Sequence, residues 1–231
     1  MATGARRTQA EHRAETRQAL LDATIDAVVV EGYAGATVAV ICSHASCSQG
    51  ALFNHFTSKA DLLGAAVEYV FPVLIDEFAL AAAPLVPVAP APPITPDALT
   101  ARLRRVLGLL WEAYTQPRLQ AALELYMAAR TDRELGVRLA AVDGPHRERL
   151  TALAAVVFPE VTGVPGFATT VDVAIDAIQG FAEANAALTT EDGRRGGRDP
   201  EPFLDQLTAI VAASMLANVP TPSVPAKEAT R

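Results

Sequence analysis

Helical spacing of apolar residues is the feature of this sequence that most constrains its fold. Apolar side chains recur at every third or fourth position along most of the chain, as in the stripe formed by Leu21, Ile25 and Val28. No stretch alternates strictly enough between apolar and polar residues to predict a strand. The sequence therefore predicts an all-α fold of about nine helices.

Glycine and proline mark the expected helix boundaries. The first helix is expected over about 11–31, with Gly32 as its left-handed stop. Pro72 is expected to kink the fourth helix, and Gly144-Pro145 is expected to break a later one. The remaining helices are expected over about 38–44, 48–54, 59–84, 99–114, 117–130, 135–142, 150–157, 168–188 and 201–217.

Three segments are expected to lie outside the helices. Six prolines between Pro84 and Pro96 predict a surface loop, because proline neither continues a helix nor pairs within a sheet. Residues 191–200 are polar and rich in glycine, which is typical of a mobile connector. The last residues, 219–231, are rich in proline and are expected to be disordered.

Composition and charge narrow the class of protein. Apolar residues make up 51% of the chain and charged residues 19%, which excludes wholesale disorder. No apolar stretch is long enough to span a membrane, and the arginine-bearing N-terminus lacks the apolar core of a secretory signal, so we expect a cytoplasmic protein. A net charge of -7 argues against a protein that coats nucleic acid non-specifically.

Residues capable of metal binding or catalysis are sparse. Cys42 and Cys47 have no partners at metal-ligand spacing and are expected to be reduced thiols, so neither a metal nor a cofactor is expected. His12, His44 and His146 are expected to be solvated. The sequence contains no phosphate-binding loop, no nucleophile elbow and no His-Glu-x-x-His pair, which argues against an enzyme.

The two short helices predicted between Thr37 and Asn54 have the lengths of a helix-turn-helix. Each is too short to be stable alone, so a third helix must cover them. Thr37 and Ser48 are placed to cap their N-termini. Gly50 and Ala51 are small residues near the start of the second helix, where they permit the close approach that insertion into a major groove requires.

Residues 13–70 resemble the N-terminal DNA-binding region of the TetR family of transcriptional regulators. The matching features, in order, are Gly32-Tyr33, Ala36-Thr37, Ser48-Gln49-Gly50-Ala51-Leu52 and His55-Phe56-x-Ser58-Lys59-x-Asp61-Leu62-Leu63. The rest of the chain resembles the family's second domain in helix number and length. The resemblance implies an N-terminal arm and DNA-binding domain over 1–64, a helical ligand-binding and dimerisation domain over 65–218, and a tail over 219–231.

The resemblance also implies which residues meet DNA: Arg6, Arg7, Arg17, Thr37, Ser48, Gln49, Gly50, Ala51, Phe53, Asn54, His55 and Lys59. Gln49 and Asn54 carry amides that pair bidentately with adenine, and a helix N-terminus attracts phosphate. Two alternatives stay open. The arm that bears Arg6 and Arg7 could be only a solvated tail, and His55 could pack beneath the fourth helix.

This sequence departs from the family pattern at three positions. Ser46 replaces the usual glycine in the turn, Cys47 replaces a small branched residue, and Phe53 replaces a tyrosine that commonly touches phosphate. The second short helix, predicted over about 48–54, has no lysine or arginine, and residues 1–64 are not basic overall. Affinity for DNA must therefore depend on how the cations are distributed, and we expect a shallow salt dependence.

A ligand cavity is expected among large or polar-tipped side chains that lie on apolar helical stripes. These are Phe78, Trp111, Tyr114, Tyr126, Met127, Arg130, Phe181 and Asn185. Packing in the core is the alternative for each aromatic residue. Asn185 could instead hydrogen-bond across a dimer, and Arg130 could hold an anionic ligand if a cavity opens beside it.

Small residues are frequent in the last two helices, over about 168–188 and 201–217. Such faces allow close helix packing, and pairing with the same helices of a second chain would form a four-helix bundle. We therefore expect a homodimer.

Together these features predict a ligand-responsive transcriptional regulator, most simply a repressor. It would bind a palindromic operator in double-stranded DNA as a dimer and would be released by a small, mostly apolar effector. The alternatives are a constitutive DNA-binding protein with no effector and, less favoured, a small helical enzyme.

Overall fold

The computed structural model describes residues 9–88, 94–188 and 197–217. Within these ranges every regular element is helical, which confirms the predicted all-α fold. The helices are α1 (Gln9–Gly35), α2 (Val38–His44), α3 (Gln49–Phe53), α4 (Lys59–Ala82), α5 (Pro96–Tyr114), α6 (Pro117–Ala129), α7 (Arg133–Val157), α8 (Phe167–Ala186) and α9 (Pro200–Leu216). Single 3-10 turns follow α4 (Ala83–Leu85) and α7 (Pro159–Val161).

Several predictions concern residues outside the described ranges. They are the arm that bears Arg6 and Arg7, the middle of the proline-rich loop, most of the glycine-rich connector and the tail 219–231. Among the described helices, none combines the length and the apolar character needed to cross a bilayer.

Helices α1, α2 and α3 form the predicted helix-turn-helix. Thr37 caps α2 by accepting a hydrogen bond from the Val40 amide at 3.3 Å, and Ser48 caps α3 by accepting one from the Ala51 amide at 3.1 Å. Both predicted caps are confirmed. The apolar sides of the three helices meet in a fully buried core that includes Leu21, Ile25, Ile41 and Leu52. This core holds the short α3 in place, as its length requires.

Helix α1 ends in a more complex way than predicted. Gly32 interrupts it with φ 70° and ψ 173°, a conformation that glycine adopts without a steric cost. One further turn then continues to Gly35. The predicted left-handed residue is therefore present, but the helical segment extends beyond it.

Helix α4 lies at the centre of the molecule. Ser58 caps its start, and the helix continues through Pro72 to Ala82. Its buried residues, among them Leu63, Val67 and Val70, pack against α1 on one side and most extensively against α7 on the other. Through these contacts α4 joins the helix-turn-helix to the rest of the protein.

The predicted break at Gly144-Pro145 is wrong, because α7 is one helix from Arg133 to Val157. Proline in a helix interior removes a hydrogen bond and costs about 3 kcal/mol. Packing opposes that cost, since α7 contacts α4, α6 and α8 along its length. The apolar residues before and after the proline also keep one helical phase, from Leu139 to Leu150.

The remaining helices complete the larger part of the core. Helix α5 packs against α8 and α9, and α6 packs against α1 and α7. Arg102 of α5 donates hydrogen bonds to both carboxylate oxygens of Glu160 and to the Val157 carbonyl, at 2.9 to 3.1 Å. These bonds hold the turn after α7 against α5 and so close one end of the core.

Candidate nucleic-acid interface and ligand cavity

The outward edge of α3 is exposed. Only Leu52 is buried in this helix of five residues. The predicted DNA contacts that are exposed are Thr37, Ser48, Gln49, Gly50, Phe53 and Asn54, while Ala51 and His55 are half-buried. The fold therefore leaves most of the predicted contacts accessible at the surface.

Phe53 points outward from α3. Its side chain is 49% exposed, so the ring does not join the core. The hydroxyl that a tyrosine would carry here is absent. The Phe53 ring can therefore make van der Waals contact with the DNA backbone but cannot donate a hydrogen bond to a phosphate.

His55 lies at the junction of α3 and α4 beside cationic side chains. Its ring centroid is 6.3 Å from that of Phe56, and the Cζ atom of Arg17 lies 5.2 Å from the Phe56 ring centroid. Burial, together with the positive charges of Arg13 and Arg17, lowers the pKa of His55. A neutral His55 can donate or accept a hydrogen bond but does not neutralise a phosphate.

Lys59 does not extend from the α3 side of the molecule. Its Nζ donates to the Tyr33 carbonyl at 3.3 Å and lies 4.8 Å from the centroid of the Tyr33 ring. Burial lowers the pKa of Lys59, and the charge of Asp132 opposes this effect. To reach a phosphate, the ammonium group would have to leave these contacts.

Tyr33 links the helix-turn-helix to α6 and to the start of α7. Its amide donates to Glu124 at 2.6 Å, and its hydroxyl donates to Asp132 at 2.9 Å. The same Asp132 caps α7 by accepting from the Leu135 amide. Displacement of α6 or α7 would therefore strain or break the hydrogen bonds of Tyr33 at the end of α1.

The start of α4 has its own contacts with α7. Arg138 pairs with Asp61 at 2.6 Å, and Ser58 donates a hydrogen bond to Glu134. Hydrogen bonds from Thr57, followed by the charges of Arg138 and Arg17, lower the pKa of Asp61 against the opposing effect of burial. These polar contacts fix the orientation of α7 relative to the base of α4.

A wholly apolar cavity lies between α4, α5, α7, α8 and α9. Its volume is about 60 Å³. The residues that surround it include Phe78, Leu107, Val157, Ile175 and Met215. No charged side chain lines it, so it is suited to hydrocarbon.

A second cavity, of about 100 Å³, contains polar groups and lies between α4, α6, α7 and α8. Tyr126 and His146 form part of its wall, and Phe71 stacks against both rings with centroid separations of 6.0 and 3.9 Å. Burial lowers the pKa of His146 to about 4 and raises the pKa of Tyr126, so both side chains are neutral near pH 7.

Three of the eight predicted ligand residues line one of these two cavities, and the other five do not. Phe78 lines the apolar cavity, whereas Tyr114 and Tyr126 line the polar one. The other residues lie elsewhere: Met127 is 57% exposed beside a surface groove, Arg130 is exposed, and Trp111 packs on Phe181, which also stacks on Phe203. The Asn185 amide donates to the Arg198 carbonyl and accepts from its amide, at 3.1 and 3.2 Å.

His146 is a cavity residue that sequence reasoning missed. The expectation that it is solvated is wrong, because its ring stacks on Phe71 and its Nδ1 is buried. A signal was present in the sequence. His146 falls between Val142 and Leu150 at a spacing of four residues on each side, in phase with the apolar stripe. The predicted break at Pro145 concealed this continuity.

Comparisons with known proteins agree with the geometry. The family model described as bacterial regulatory proteins of the tetR family matches residues 20–66, which span the helix-turn-helix and the start of α4. A helix-turn-helix transcriptional regulator from Mycobacterium tuberculosis is 32% identical over 219 residues, or 90% of this chain and 99% of that protein. The chain belongs to the TetR family of transcriptional regulators. Its helix-turn-helix is the DNA-binding segment of the family.

Two solved structures share this fold over nearly the whole chain. A TetR-family regulator from Mesorhizobium loti has a TM-score of 0.62 at 18% identity and covers 91% of this chain and 98% of its own. The multidrug binding protein EbrR, solved with imidazole, has a TM-score of 0.58 at 20% identity, with 90% and 97% covered. At these identities the likeness concerns the fold alone.

Proposed function

We propose that this TetR-family regulator is a ligand-responsive repressor that binds a palindromic operator as a dimer and is released by a small, mostly apolar effector. The observation that carries the proposal is the outward edge of α3, joined through Tyr33 and α4 to the helices that enclose the cavities. The proposed units are the arm and DNA-binding domain (1–64), the ligand-binding and dimerisation domain (65–218) and the tail (219–231).

In this proposal the base contacts come from α3. Gln49 and Asn54 are exposed and carry amides, so each suits an adenine edge in the major groove. Phosphate contacts fall to groups around them, including Thr37, Ser48 and the arginines of the arm and of α1. Because Lys59 is held by Tyr33, the complex gains little from bulk charge, which supports the expected shallow salt dependence.

The proposed dimer forms through α8 and α9. Ala184 of α8, Ala187 at its C-cap, and Ala209 and Ala213 of α9 are exposed, and Ile210 of α9 is 55% exposed. Exposed small residues beside large apolar ones on neighbouring helices are suited to close helix packing with a second copy. Such a dimer would hold two copies of α3 for half-sites about 34 Å apart.

An effector would occupy the cavities between α4 and α8. Their apolar walls supply most of the binding energy that a small ligand needs. EbrR, which shares the fold, is named as a multidrug binding protein, and this supports a ligand role for the same domain here. Nearly complete release from DNA requires about 5 kcal/mol of difference in effector affinity between the two states.

Selection of binding sites from random duplexes, followed by substitution at α3, tests the DNA-binding part of the proposal. Gln49→Ala and Asn54→Ala are each expected to weaken the selected site by about 1 to 3 kcal/mol and to relax preference at one base pair. Gln116→Ala is the matched control, because Gln116 is an exposed amide at the N-cap of α6 whose side chain makes no capping hydrogen bond. Equal losses on selected and random duplexes would contradict base readout by these residues.

A further inference from the structure

Three neighbouring cavities form one path through the ligand-binding domain. The apolar cavity and the polar cavity, of about 60 and 100 Å³, are separated by a third of about 30 Å³. Leu150 lines all three. Phe78 and Leu110 are shared by the apolar and middle cavities, and Tyr114 and His146 by the middle and polar ones. The path therefore changes from hydrocarbon to polar along its length.

At the polar end, two buried hydrogen-bonding atoms have no partner among the residues that the structure describes. They are the Tyr126 hydroxyl and His146 Nδ1. Buried polar atoms in proteins are nearly always hydrogen-bonded, and each exception calls for an explanation such as a missing ligand. Both atoms belong to neutral side chains, and each can serve a group that donates or accepts a hydrogen bond.

Charges around the polar end disfavour an anion. Arg147 is the cation in the cavity wall, and its guanidinium lies 3.3, 3.6 and 2.8 Å from carboxylates of Asp143, Asp172 and Asp176. The carboxylates outnumber this guanidinium, so an added anionic group would be repelled. Arg147 also bonds the carboxylate of Asp143, which is the acidic group in the cavity wall, and this weakens any attraction for a cation.

Building on the proposed effector function, we propose that the effector is a compact, uncharged amphiphile with a hydroxyl or carbonyl group at one end. Its hydrocarbon part extends through the apolar and middle cavities, and its polar group hydrogen-bonds to the Tyr126 hydroxyl and His146 Nδ1. Phe71 of α4 stacks on both of these rings and lines the same cavity, so the entering group contacts a side chain of α4. Effector binding thereby acts directly on the helix that supports the DNA-binding domain.

The size of the path indicates suitable probes. Together the three cavities offer about as much space as the apolar cavity of roughly 150 Å³ that accommodates benzene, so ligands with one ring match the whole path. Benzyl alcohol, toluene, benzoate and benzylammonium share the ring and differ only in the attached group. Their affinities for the full-length protein, measured by calorimetry, report which group the polar end accepts.

The expected result is that benzyl alcohol binds at least tenfold more tightly than benzoate and benzylammonium, and that it lowers affinity for the selected operator. Tyr126→Phe removes the hydroxyl but keeps the ring that stacks on Phe71. It should weaken benzyl alcohol about fivefold while leaving toluene unchanged or tighter. Tyr69→Phe is the control, because Tyr69 lies on α4 but lines none of the three cavities.

Several outcomes would overturn the inference. Tighter binding of benzoate or benzylammonium would show that the polar end accepts a charge. Equal effects of Tyr126→Phe on all four probes would assign the hydroxyl a structural role, and His146→Phe repeats the test at the second atom. If no probe binds while the selected operator is still bound, this inference fails and the DNA-binding proposal stands. If no operator can be selected, the proposed function itself fails.

Discussion

A single backbone angle in the turn between α2 and α3 explains a departure from the family pattern. Ser46 has φ 50°, and it is the one non-glycine residue with positive φ in the described part of the chain. The left-handed conformation costs a side-chain-bearing residue about 1–2 kcal/mol. The resemblance marks this position as a usual glycine, and the angle gives the physical reason.

Ser46→Gly is therefore expected to stabilise the protein by about 1 kcal/mol, because relief of strain exceeds the added entropy of the unfolded chain. Urea unfolding at a fixed protein concentration measures the change. Ser46→Ala is the matched control and should gain nothing, since alanine meets the same restriction at positive φ. Equal stability of the glycine and alanine variants would mean that the turn is not strained.

Individual residues were predictable where the signal is local. The caps at Thr37 and Ser48 follow from side chains that bond to nearby amides, so the sequence specifies them. The inward orientation of Lys59 depends on Tyr33, which is distant in the chain, and no local pattern encodes it. Asn185 likewise bonds to the backbone beyond a connector.

The pair of helices α4 and α7 shows what periodicity can and cannot predict. The apolar stripes located both helices, but the rule that proline ends a helix divided α7 in two. Packing of α7 against neighbouring helices keeps it continuous through Pro145. These contacts join residues that are distant in the sequence, so a local pattern does not predict them. Pro72 and Pro145 line the same groove between these helices, which is visible only after folding.

Close approach of α4 and α7 at Gly64 gives a prediction for helix packing. A Cβ atom at this position would lie 2.7 Å from the Cβ of Arg138, so the helices would have to separate. Gly64→Ala is expected to lower the free energy of unfolding by about 1–3 kcal/mol, the usual cost of overpacking.

Gly108 in α5 provides the matched control for that substitution. An added Cβ there meets only the end of the Arg104 side chain, at 3.6 Å. Gly108→Ala should therefore raise the free energy of unfolding by about 0.5–1 kcal/mol through helix propensity. Urea unfolding of both variants measures whether the free energy of unfolding falls or rises. A Gly64→Ala protein at least as stable as the unsubstituted protein would contradict tight packing of α4 on α7.

In the assembled chain, the position of the DNA-binding segment was accessible from the sequence, whereas the walls of the cavities were not. The helix-turn-helix is encoded in one continuous stretch, and the family match covers the same stretch. The cavities are enclosed by residues from six helices, α4 to α9, so their walls depend on tertiary packing. This is why Phe78, Tyr114 and Tyr126 reach them while Trp111 and Phe181 pack on each other.

The proposed dimer leads to a prediction for the intact protein. Ala213→Glu places a carboxylate in the exposed small-residue surface of α9, where it would face its own copy across a twofold axis. Sedimentation at micromolar concentration should show a monomer. Operator affinity should fall on the order of a hundredfold, because each chain would then bind its half-site alone.

Ala140→Glu is the control for this substitution, since Ala140 is an exposed alanine on α7, away from α8 and α9. It should remain dimeric and retain full operator affinity. A dimeric Ala213→Glu protein would place the subunit interface elsewhere.

The contact at Gly64 also has a mechanical consequence. His146 lies about two turns from Arg138 along α7, a separation of roughly 12 Å. A rigid rod of that length, tilted by about 10° around its cavity end, carries Arg138 sideways by roughly 2 Å. There is no free space between α4 and α7 at Gly64. A displacement of the His146 ring that tilts α7 would therefore move the start of α4, and with it α3, the helix proposed to contact DNA.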